Sequence, residues 1–395
     1  MITETEINLG LFGYGVVGKG FYELTQLYPE LAINTKEIVV KNHEHHLQNI
    51  EYHLSYEAND ILQNNQLKTV VEVINNSNDA LTIARQVLTS GNTLITANKR
   101  MLAENFEELY LLLKTNGGRL FYEGSSAASI PIIKILDEYF ANENIQLIEG
   151  ILNGTSNYIL SGIFNNNLNY KQALKQAQEL GFAETDPTLD IEGIDALNKL
   201  VIINAHAFGV IVNPNQVFNY GVSHINNDDI AYAKTRGFVI KQVAHASVNI
   251  QGKLLLYVAP QFVNNSSQLF GVNQENNGIL VNAEHSGQQF YYGKGAGSKP
   301  TGAAVLADVI SSKQNKSYNY TKLKKTNFIK YEINQKVKVY IRYPISVNIE
   351  HLEIEKTKNY LIKDQLIIEG KVCISKLFKY KEWLNENEIS IIVFP

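Results

Sequence analysis

The sequence predicts an α/β fold: a doubly wound parallel sheet, then a mixed α+β region, then a small β-rich appendage at the C-terminus. Three observations predict it. An apolar run, Ile7-Asn8-Leu9-Gly10-Leu11-Phe12, has the length of a buried strand and breaks at a glycine turn before a helical stretch. Apolar, β-branched strands and helices then alternate to about residue 140. Beyond that point the alternation continues, but carboxylate-rich and turn-rich motifs interrupt it.

The glycine turn reads Gly13-Tyr14-Gly15-Val16-Val17-Gly18 and runs into Lys19-Gly20-Phe21-Tyr22-Glu23-Leu24. A G-x-G-x-x-G between strand and helix lets the backbone approach a pyrophosphate and aims the helix N-terminus at it. By itself the hexapeptide is a weak signal; in a strand–turn–helix context it predicts a Rossmann-type dinucleotide site.

Each following element fits that scheme. Glu37 to Lys41 and Thr69 to Ile74 read as strands, the second strongly β-branched. Ala80 to Leu88 reads as helix, Thr93 to Thr96 as a short strand, and Asn105 to Lys114 as amphipathic helix. Ligands of such sheets bind at the carboxyl ends of the strands, so Asn75-Asn76-Ser77 and Thr96-Ala97-Asn98-Lys99 should face a cofactor.

At the end of the second strand stand Lys41-Asn42-His43-Glu44-His45-His46. A lysine at the strand tip suits a 2′-phosphate better than a free ribose, which favours NADP, while Glu44 leaves NAD open. The three histidines read as solvated, because neither Cys nor a spaced carboxylate pair completes a metal ligand set.

Two motifs carry the remaining chemistry. In Gly150-Ile151-Leu152-Asn153-Gly154-Thr155-Ser156-Asn157-Tyr158-Ile159-Leu160, a strand meets a helix with Thr155 and Ser156 at the capping positions. Backbone N–H groups there can hold a carboxylate, although a plainly structural helix start has the same spacing. Glu184 to Lys199, E-T-D-P-T-L-D-I-E-G-I-D-A-L-N-K, gathers carboxylates in a loop before a helix. Asp195 and Lys199 fall four residues apart on one helical face. A capping turn at Asp186-Pro187 with a solvated ion pair is the plainer reading.

Taken together, these segments resemble the homoserine dehydrogenases, which interconvert L-aspartate 4-semialdehyde and L-homoserine in threonine and methionine biosynthesis. The resemblance rests on G-Y-G-V-V-G at 13–18, T-A-N-K at 96–99, Y-E at 122–123, I-L-N-G-T-S-N-Y-I-L at 151–160, G-F-A-E-T-D-P-T-L-D-I-E-G-I-D-A-L-N-K-L at 181–200 and G-K-G-A-G-S-K-P-T at 293–301. The segments occur in the family's order and cover about the first 315 residues.

The resemblance implies roles. Lys199 matches the lysine that donates a proton to the aldehyde oxygen, and Lys99 a second lysine near the nicotinamide. Glu184 and Asp195 match residues that bind the substrate's charged amino end, and Asp190 matches another acid of the same site. Gly154 and Thr155 would meet the substrate through the backbone. Phe12, Gly13, Gly15, Val16, Val17 and Gly18, with Lys41 and Asn76, match the dinucleotide cradle; Gly295 and Gly297 match a glycine turn near the nicotinamide.

Some members bind a monovalent cation, Na+ or K+, near the segment matching Glu123, Ser126, Ala128, Ile130 and Gly181. Ala127, Ala128 and Ser129 stand where the family usually has glycines, and alanine limits positive-φ backbone, which weighs against the cation. Asn75-Asn76 for Gly-Gly and Lys294 for Pro or Arg are further departures.

Composition agrees. A chain of 395 residues exceeds one ordinary domain, and 45% apolar content supplies a core. A net charge of −4 leaves no basic stripe for nucleic acid. The start, M-I-T-E-T-E, has no signal-peptide pattern. The longest apolar stretch, Leu200 to Val212, is too short to span a bilayer, and His206 within it reads as a core histidine. The one Cys, Cys373, lies far from every motif; it fits a reducing cytoplasm and argues against a semialdehyde dehydrogenase that acylates a cysteine.

The expected organisation is a nucleotide domain over 1–140 with 293–315 returning, a substrate-binding and dimerisation domain over 141–292, and a small C-terminal domain over 326–395. Ser312 to Leu323 reads as a polar linker. Many family members end in an amino-acid-binding ACT domain that opens with a strand and a D-x-P-G-V-L turn. No such turn follows Tyr343, so the tail is expected to pack or dimerise. A homodimer is expected. A cofactor-binding protein without turnover, or a dehydrogenase for another amino-acid carbonyl, are the alternatives.

Overall fold

The computed structural model describes residues 6–41, 54–166, 168–325 and 328–395. The chain forms two compact units, residues 1–141 with 294–324, and residues 142–293 with 325–395.

The first unit holds a six-stranded, all-parallel sheet: β1 (Ile7–Phe12), β2 (Ile33–Val39), β3 (Leu54–Ser55), β4 (Thr69–Glu72), β5 (Thr93–Thr96) and β6 (Arg119–Phe121). Its order is β3-β2-β1-β4-β5-β6, which reverses between β1 and β4. That reversal is the switch point at which open α/β sheets bind ligands. Every residue of β4 and β5 is buried, as strands covered on both faces require.

Helices Val16–Leu27, Ser77–Thr89 and Lys99–Asn116 follow β1, β4 and β5. The last is longer than its amphipathic stretch predicts and contains non-helical backbone at Asn105. Helix Ser298–Lys313 packs against Val16–Leu27 within the same unit.

The segment expected as a linker is instead anchored in this unit. Tyr318 and Tyr320 are buried, with the Tyr318 ring against Phe121 and Tyr122. The Asp137 carboxylate accepts the backbone N–H groups of Asn319 and Tyr320 at 2.6 and 2.9 Å. Polar composition between the tyrosines hid two aromatic anchors, each of which buries a large apolar ring.

The second unit is built on one mixed sheet of eleven strands: β7 (Ile145–Ile151), β8 (Phe218–Asn219), β9 (Phe238–Val248), β10 (Lys253–Asn264), β11 (Asn276–Ala283), β12 (Gly287–Lys294), β13 (Lys330–Tyr331), β14 (Lys336–Pro344), β15 (Glu355–Ile362), β16 (Gln365–Cys373) and β17 (Ser390–Val393). The main order is β12-β11-β7-β9-β10-β17-β14-β16-β15, with β8 and β13 also pairing with β10.

The tail is not a separate domain. Its strands take the order β17-β14-β16-β15, that of a ferredoxin-like β-α-β-β-α-β unit, with the first helix reduced to one 3-10 turn at Glu350–Leu352. Helices Ile374–Lys379 and Lys381–Glu386 fill the second crossover. β17 pairs in parallel with β10 at Gln261↔Val393, and Phe218, Tyr220, Leu255 and Tyr257 share a core with Val339, Ile341 and Leu384. A common apolar core and a common ladder make the two parts one body.

Helices Gly154–Asn166 and Ile194–Phe208 belong to this unit. The second is buried from Asp195 to Phe208, far more than an amphipathic surface helix. Among the described residues no helix is long and apolar enough to cross a membrane.

Candidate active site

The crevice in the first unit grows from β1. Phe12 is 2% exposed at the strand end, where its carbonyl accepts the Val73 N–H at 2.9 Å and Gly13 N donates to the Val39 carbonyl at 2.9 Å. The loop backbone is thereby fixed to both neighbouring strands. Two of its glycines differ in kind. A Cβ on Gly18 would lie 2.1 Å from the Gly13 carbonyl oxygen, so the turn itself demands glycine there. A Cβ on Gly15 would meet nothing within 4 Å, so the fold leaves that glycine free to admit a ligand against the backbone.

A cavity of about 620 Å³ opens here, lined by Phe12, Gly13, Gly15, Lys41, Asn76 and Asp79 among others. That size suits a cofactor moiety. Val16 is exposed and Val17 half-buried at the helix start. The Asn76 side chain accepts from Asn78 N and Asp79 N at 2.9 and 3.0 Å, capping helix Ser77–Thr89. Lys41 Nζ lies 3.6 Å from Asp79 Oδ2. His43, Glu44, His45 and His46 lie outside the described residues.

Glu72 ties the neighbouring strand tips together. Its carboxylate accepts from Thr96 Oγ1 at 2.5 Å and from Ile74 N at 2.7 Å. Burial pushes its pKa up to about 7, against the pull of those two hydrogen bonds. Thr96 Oγ1 also accepts from Asn98 N, and Asn98 caps the helix that Lys99 begins. Lys99 is therefore half-buried at a fixed helix start. Gly295 is buried, and Gly297, at φ +123°, precedes helix Ser298–Lys313, whose Ser298 Oγ donates to the Val16 carbonyl at 2.8 Å.

The second unit gathers the acidic cluster. Lys199 Nζ donates to the Leu152 carbonyl at 2.7 Å and pairs with Asp195 Oδ2 at 2.8 Å. Both side chains are 7% exposed, so this is no solvated ion pair. Asn153 Nδ2 donates to Asp190 Oδ1 at 2.6 Å and to Asp195 Oδ2 at 2.9 Å, which brings together Asp190, in the short helix Thr188–Ile191 where a loop was expected, and Asp195 of the next helix. Burial, then the charge of Asp195, raises the Asp190 pKa. Glu184 stands apart, exposed in the loop, with its backbone carbonyl accepting from Gln178.

Asn153 also corrects the predicted cap. Its Oδ1 accepts from Ser156 N at 2.8 Å, whereas Thr155 Oγ1 donates to the Phe182 carbonyl at 2.6 Å. The Asn preceding a helix is a strong cap in its own right, and that signal was present in the motif. A Cβ on Gly154 would meet the Glu275 carbonyl oxygen at 2.7 Å, so glycine is required by the close approach of that chain.

The first unit matches a family model described as homoserine dehydrogenase, NAD binding domain, over residues 13–123; one described as homoserine dehydrogenase matches residues 131–310. The homoserine dehydrogenase of Lactococcus lactis is 33% identical over 315 residues, 77% of this chain and 73% of the relative. The chain belongs to the homoserine dehydrogenase family. The Helicobacter pylori homoserine dehydrogenase is 34% identical over 80% of this chain and 75% of its own length. A crystal structure of a homoserine dehydrogenase from Thiobacillus denitrificans matches with a TM-score of 0.84 at 26% identity, over 99% of this chain and 98% of that one. A Staphylococcus aureus homoserine dehydrogenase matches at 0.75 and 27%, over 99% of each chain. Homoserine dehydrogenases are NAD(P)-dependent oxidoreductases that reversibly reduce L-aspartate 4-semialdehyde to L-homoserine.

In the segment that the resemblance implied for a cation, the Glu123 carboxylate and the Ile130 carbonyl take part in hydrogen bonds within the chain. The Glu123 carboxylate accepts from Ile133 N and Lys134 N at 2.9 and 2.8 Å, and the Ile130 carbonyl accepts from Ile132 N at 2.8 Å. Burial, then the Asp308 charge, pushes the Glu123 pKa up to about 8. Ser126 is buried, with its backbone N–H turned towards the Glu123 carbonyl. Ala128 does take a positive φ of 44°, against the expectation for alanine, at a cost of about 1 kcal/mol. Gly181, at φ +76°, belongs to the other unit.

Proposed function

We propose that Lys199 is the proton donor for aldehyde reduction and the acceptor in the reverse direction. The observation that carries this reading is the Lys199 amine held on Asp195 and the Leu152 carbonyl, with Asn153 joining Asp195 to Asp190. A fixed, buried amine beside carboxylates loses little orientational freedom on reaction, which favours general acid catalysis.

When bound, the reduced nicotinamide supplies the hydride that forms the new C–H bond. As the C=O π pair moves to oxygen, Lys199 Nζ gives that oxygen a proton and is left as a neutral amine, to be recharged from solvent. The family resemblance gives Lys99 a place near the nicotinamide, where a second positive charge would stabilise the developing alkoxide. Asp190 and Glu184 attract the substrate ammonium, and the helix start at Gly154-Thr155 offers backbone N–H groups to its carboxylate. Phe12 to Gly18, Asn76, Gly295 and Gly297 would hold the dinucleotide.

Three finer readings belong with this one. Lys41 at the β2 tip supports NADP over NAD. The Glu123, Ser126, Ala128 and Ile130 segment is where a Na+ or K+ would sit, a reading supported by the family resemblance and by the positive φ of Ala128. A homodimer in a reducing cytoplasm is supported by the single Cys373 and by the family resemblance.

The test compares wild type and Lys199→Ala for NADPH oxidation with aspartate semialdehyde. A loss of kcat of about 10²-fold or more, with NADPH binding unchanged, is expected. Equal turnover in the two proteins overturns the role of Lys199.

A further inference from the structure

Lys241, on β9, is 2% exposed. Its ammonium donates only to neutral oxygens: Val272 carbonyl at 2.6 Å, Asn157 Oδ1 at 3.1 Å and Asn273 Oδ1 at 3.2 Å. Burial alone pushes its pKa down to about 8, so the charge is held at a real energetic cost yet persists at neutral pH. Packing does not require it, since an apolar side chain of similar length fills such a space without desolvating an ion. The charge must therefore hold something in place.

Its acceptors show what that is. Asn157 sits in the first turn of helix Gly154–Asn166, and its Nδ2 donates to the carbonyls of Val272, Gln274 and Asn276 at 3.2, 2.9 and 3.2 Å. Residues 272–276 thus receive Lys241 and Asn157, with two further ties, Gln274 N to Ser161 Oγ and Val272 N to the Leu269 carbonyl, each at 3.2 Å, and with Gln274 at φ +58°. That segment then touches the acidic cluster's frame twice. Glu275 presses its carbonyl on Gly154, and Asn277 Nδ2 donates at 3.1 Å to the Leu152 carbonyl that also receives Lys199 Nζ.

We propose that Lys241 is a positioning residue for the reaction: its buried ammonium clamps residues 272–277 onto the helix start at Gly154 and, through Asn277, sets the carbonyl on which Lys199 rests. This rests on the proton-donor role proposed for Lys199 and on the carboxylate-binding role proposed for the helix start at Gly154. Loss of the clamp frees the helix start that receives the substrate carboxylate, so substrate affinity suffers first and proton transfer second.

The experiment uses the full chain with Lys241→Met, an uncharged side chain of similar length, and Lys241→Ala. In Lys241→Met the KM for aspartate semialdehyde is expected to rise about tenfold, kcat to fall less than that, and the KM for NADPH to hold within about twofold. In Lys241→Ala, added ethylammonium is expected to restore most of the lost kcat/KM, while ethanol at equal concentration restores none. Wild-type kinetics in Lys241→Met, a parallel rise in both KM values, or equal rescue by ethanol each overturn the proposal.

If either core variant does not fold, Asn273→Ala removes one acceptor from an exposed position. It is expected to raise the substrate KM about threefold at an unchanged thermal midpoint; an unchanged KM overturns the clamp. Lys199→Ala run alongside separates the two readings. Full turnover there ends the proton-donor role, whereas the substrate-KM effect of Lys241→Met tests the clamp alone.

Discussion

Lys199 Nζ and Asp195 Oδ2 lie 2.8 Å apart across one turn of helix Ile194–Phe208, with 7% of each side chain exposed. Neither charge has bulk water to fall back on. Removing one partner of such a pair strands the other, at about 3–5 kcal/mol. Asp195→Ala is therefore expected to lower unfolding stability by about that amount in urea titrations. A wild-type midpoint there means that Lys199 discharges readily on its own.

Asn153 serves two masters, and substitutions separate them. Asn153→Ala loses the helix cap, worth about 1 kcal/mol, as well as the link between Asp190 and Asp195. Asn153→Ser keeps a capping oxygen but cannot reach both acids. The Ser variant is expected to melt near wild type while its substrate KM rises with that of Ala. Recovery of KM along with the melting temperature assigns Asn153 to the cap alone.

The glycine turn offers a paired test. Gly18→Ala drives a methyl into the Gly13 carbonyl, so soluble yield and melting temperature should both drop. Gly15→Ala meets open space and should fold normally while NADPH binds about tenfold more weakly. Tight NADPH binding by Gly15→Ala, read by nicotinamide fluorescence, contradicts a pyrophosphate at that backbone.

Glu72 gives stability a pH slope of defined sign. Its pKa is about 7 in the folded protein against 4.5 for an exposed carboxyl, with burial as the main cause. Between those values the native state holds more protons than the unfolded chain, so stability falls as pH rises through the window. The contribution, on the order of 3 kcal/mol, is fully present below 4.5 and gone above about 7. Glu123 and Asp308, pushed up to about 8 and about 6, act in the same direction. Glu72→Gln should leave the Thr96 and Ile74 contacts largely in place yet flatten the slope of unfolding free energy between pH 5 and 7. An identical slope in the variant removes Glu72 as its source.

Cofactor choice should respond to Lys41 and Asp79 in opposite senses. Both are well exposed, so the effects are modest. Lys41→Ala is expected to raise the KM for NADPH about tenfold and leave that for NADH nearly unchanged. Asp79→Asn frees Lys41 for a phosphate and should lower the NADPH value about threefold. Equal shifts for both cofactors speak against a 2′-phosphate contact at Lys41.

Much of this was legible before any coordinates. The Gly13–Gly18 turn, the buried β-branched strand at 69–72 and the four-residue spacing of Asp195 and Lys199 each follow from one local rule, so local reading sufficed. Asn153 was in plain view but lost to its hydroxyl-bearing neighbours, because Thr155 and Ser156 also suit helix starts. Lys241 was invisible, since a lone lysine in a strand gives no sign that neutral carbonyls from residues 272 and 273 will close over it. The tail failed for a different reason. Pairing of β17 with β10 joins residues 393 and 261, and no pattern within either strand announces so distant a partner.

That shared strand has a practical consequence. A protein trimmed after residue 325 is not a lighter version of this enzyme but a torn one: β10 loses a ladder neighbour, and Phe218, Tyr220 and Tyr257 lose the side chains that shield them from water. Such a fragment should clump on expression, and anyone mapping the minimal catalytic chain will need to carry the last seventy residues along.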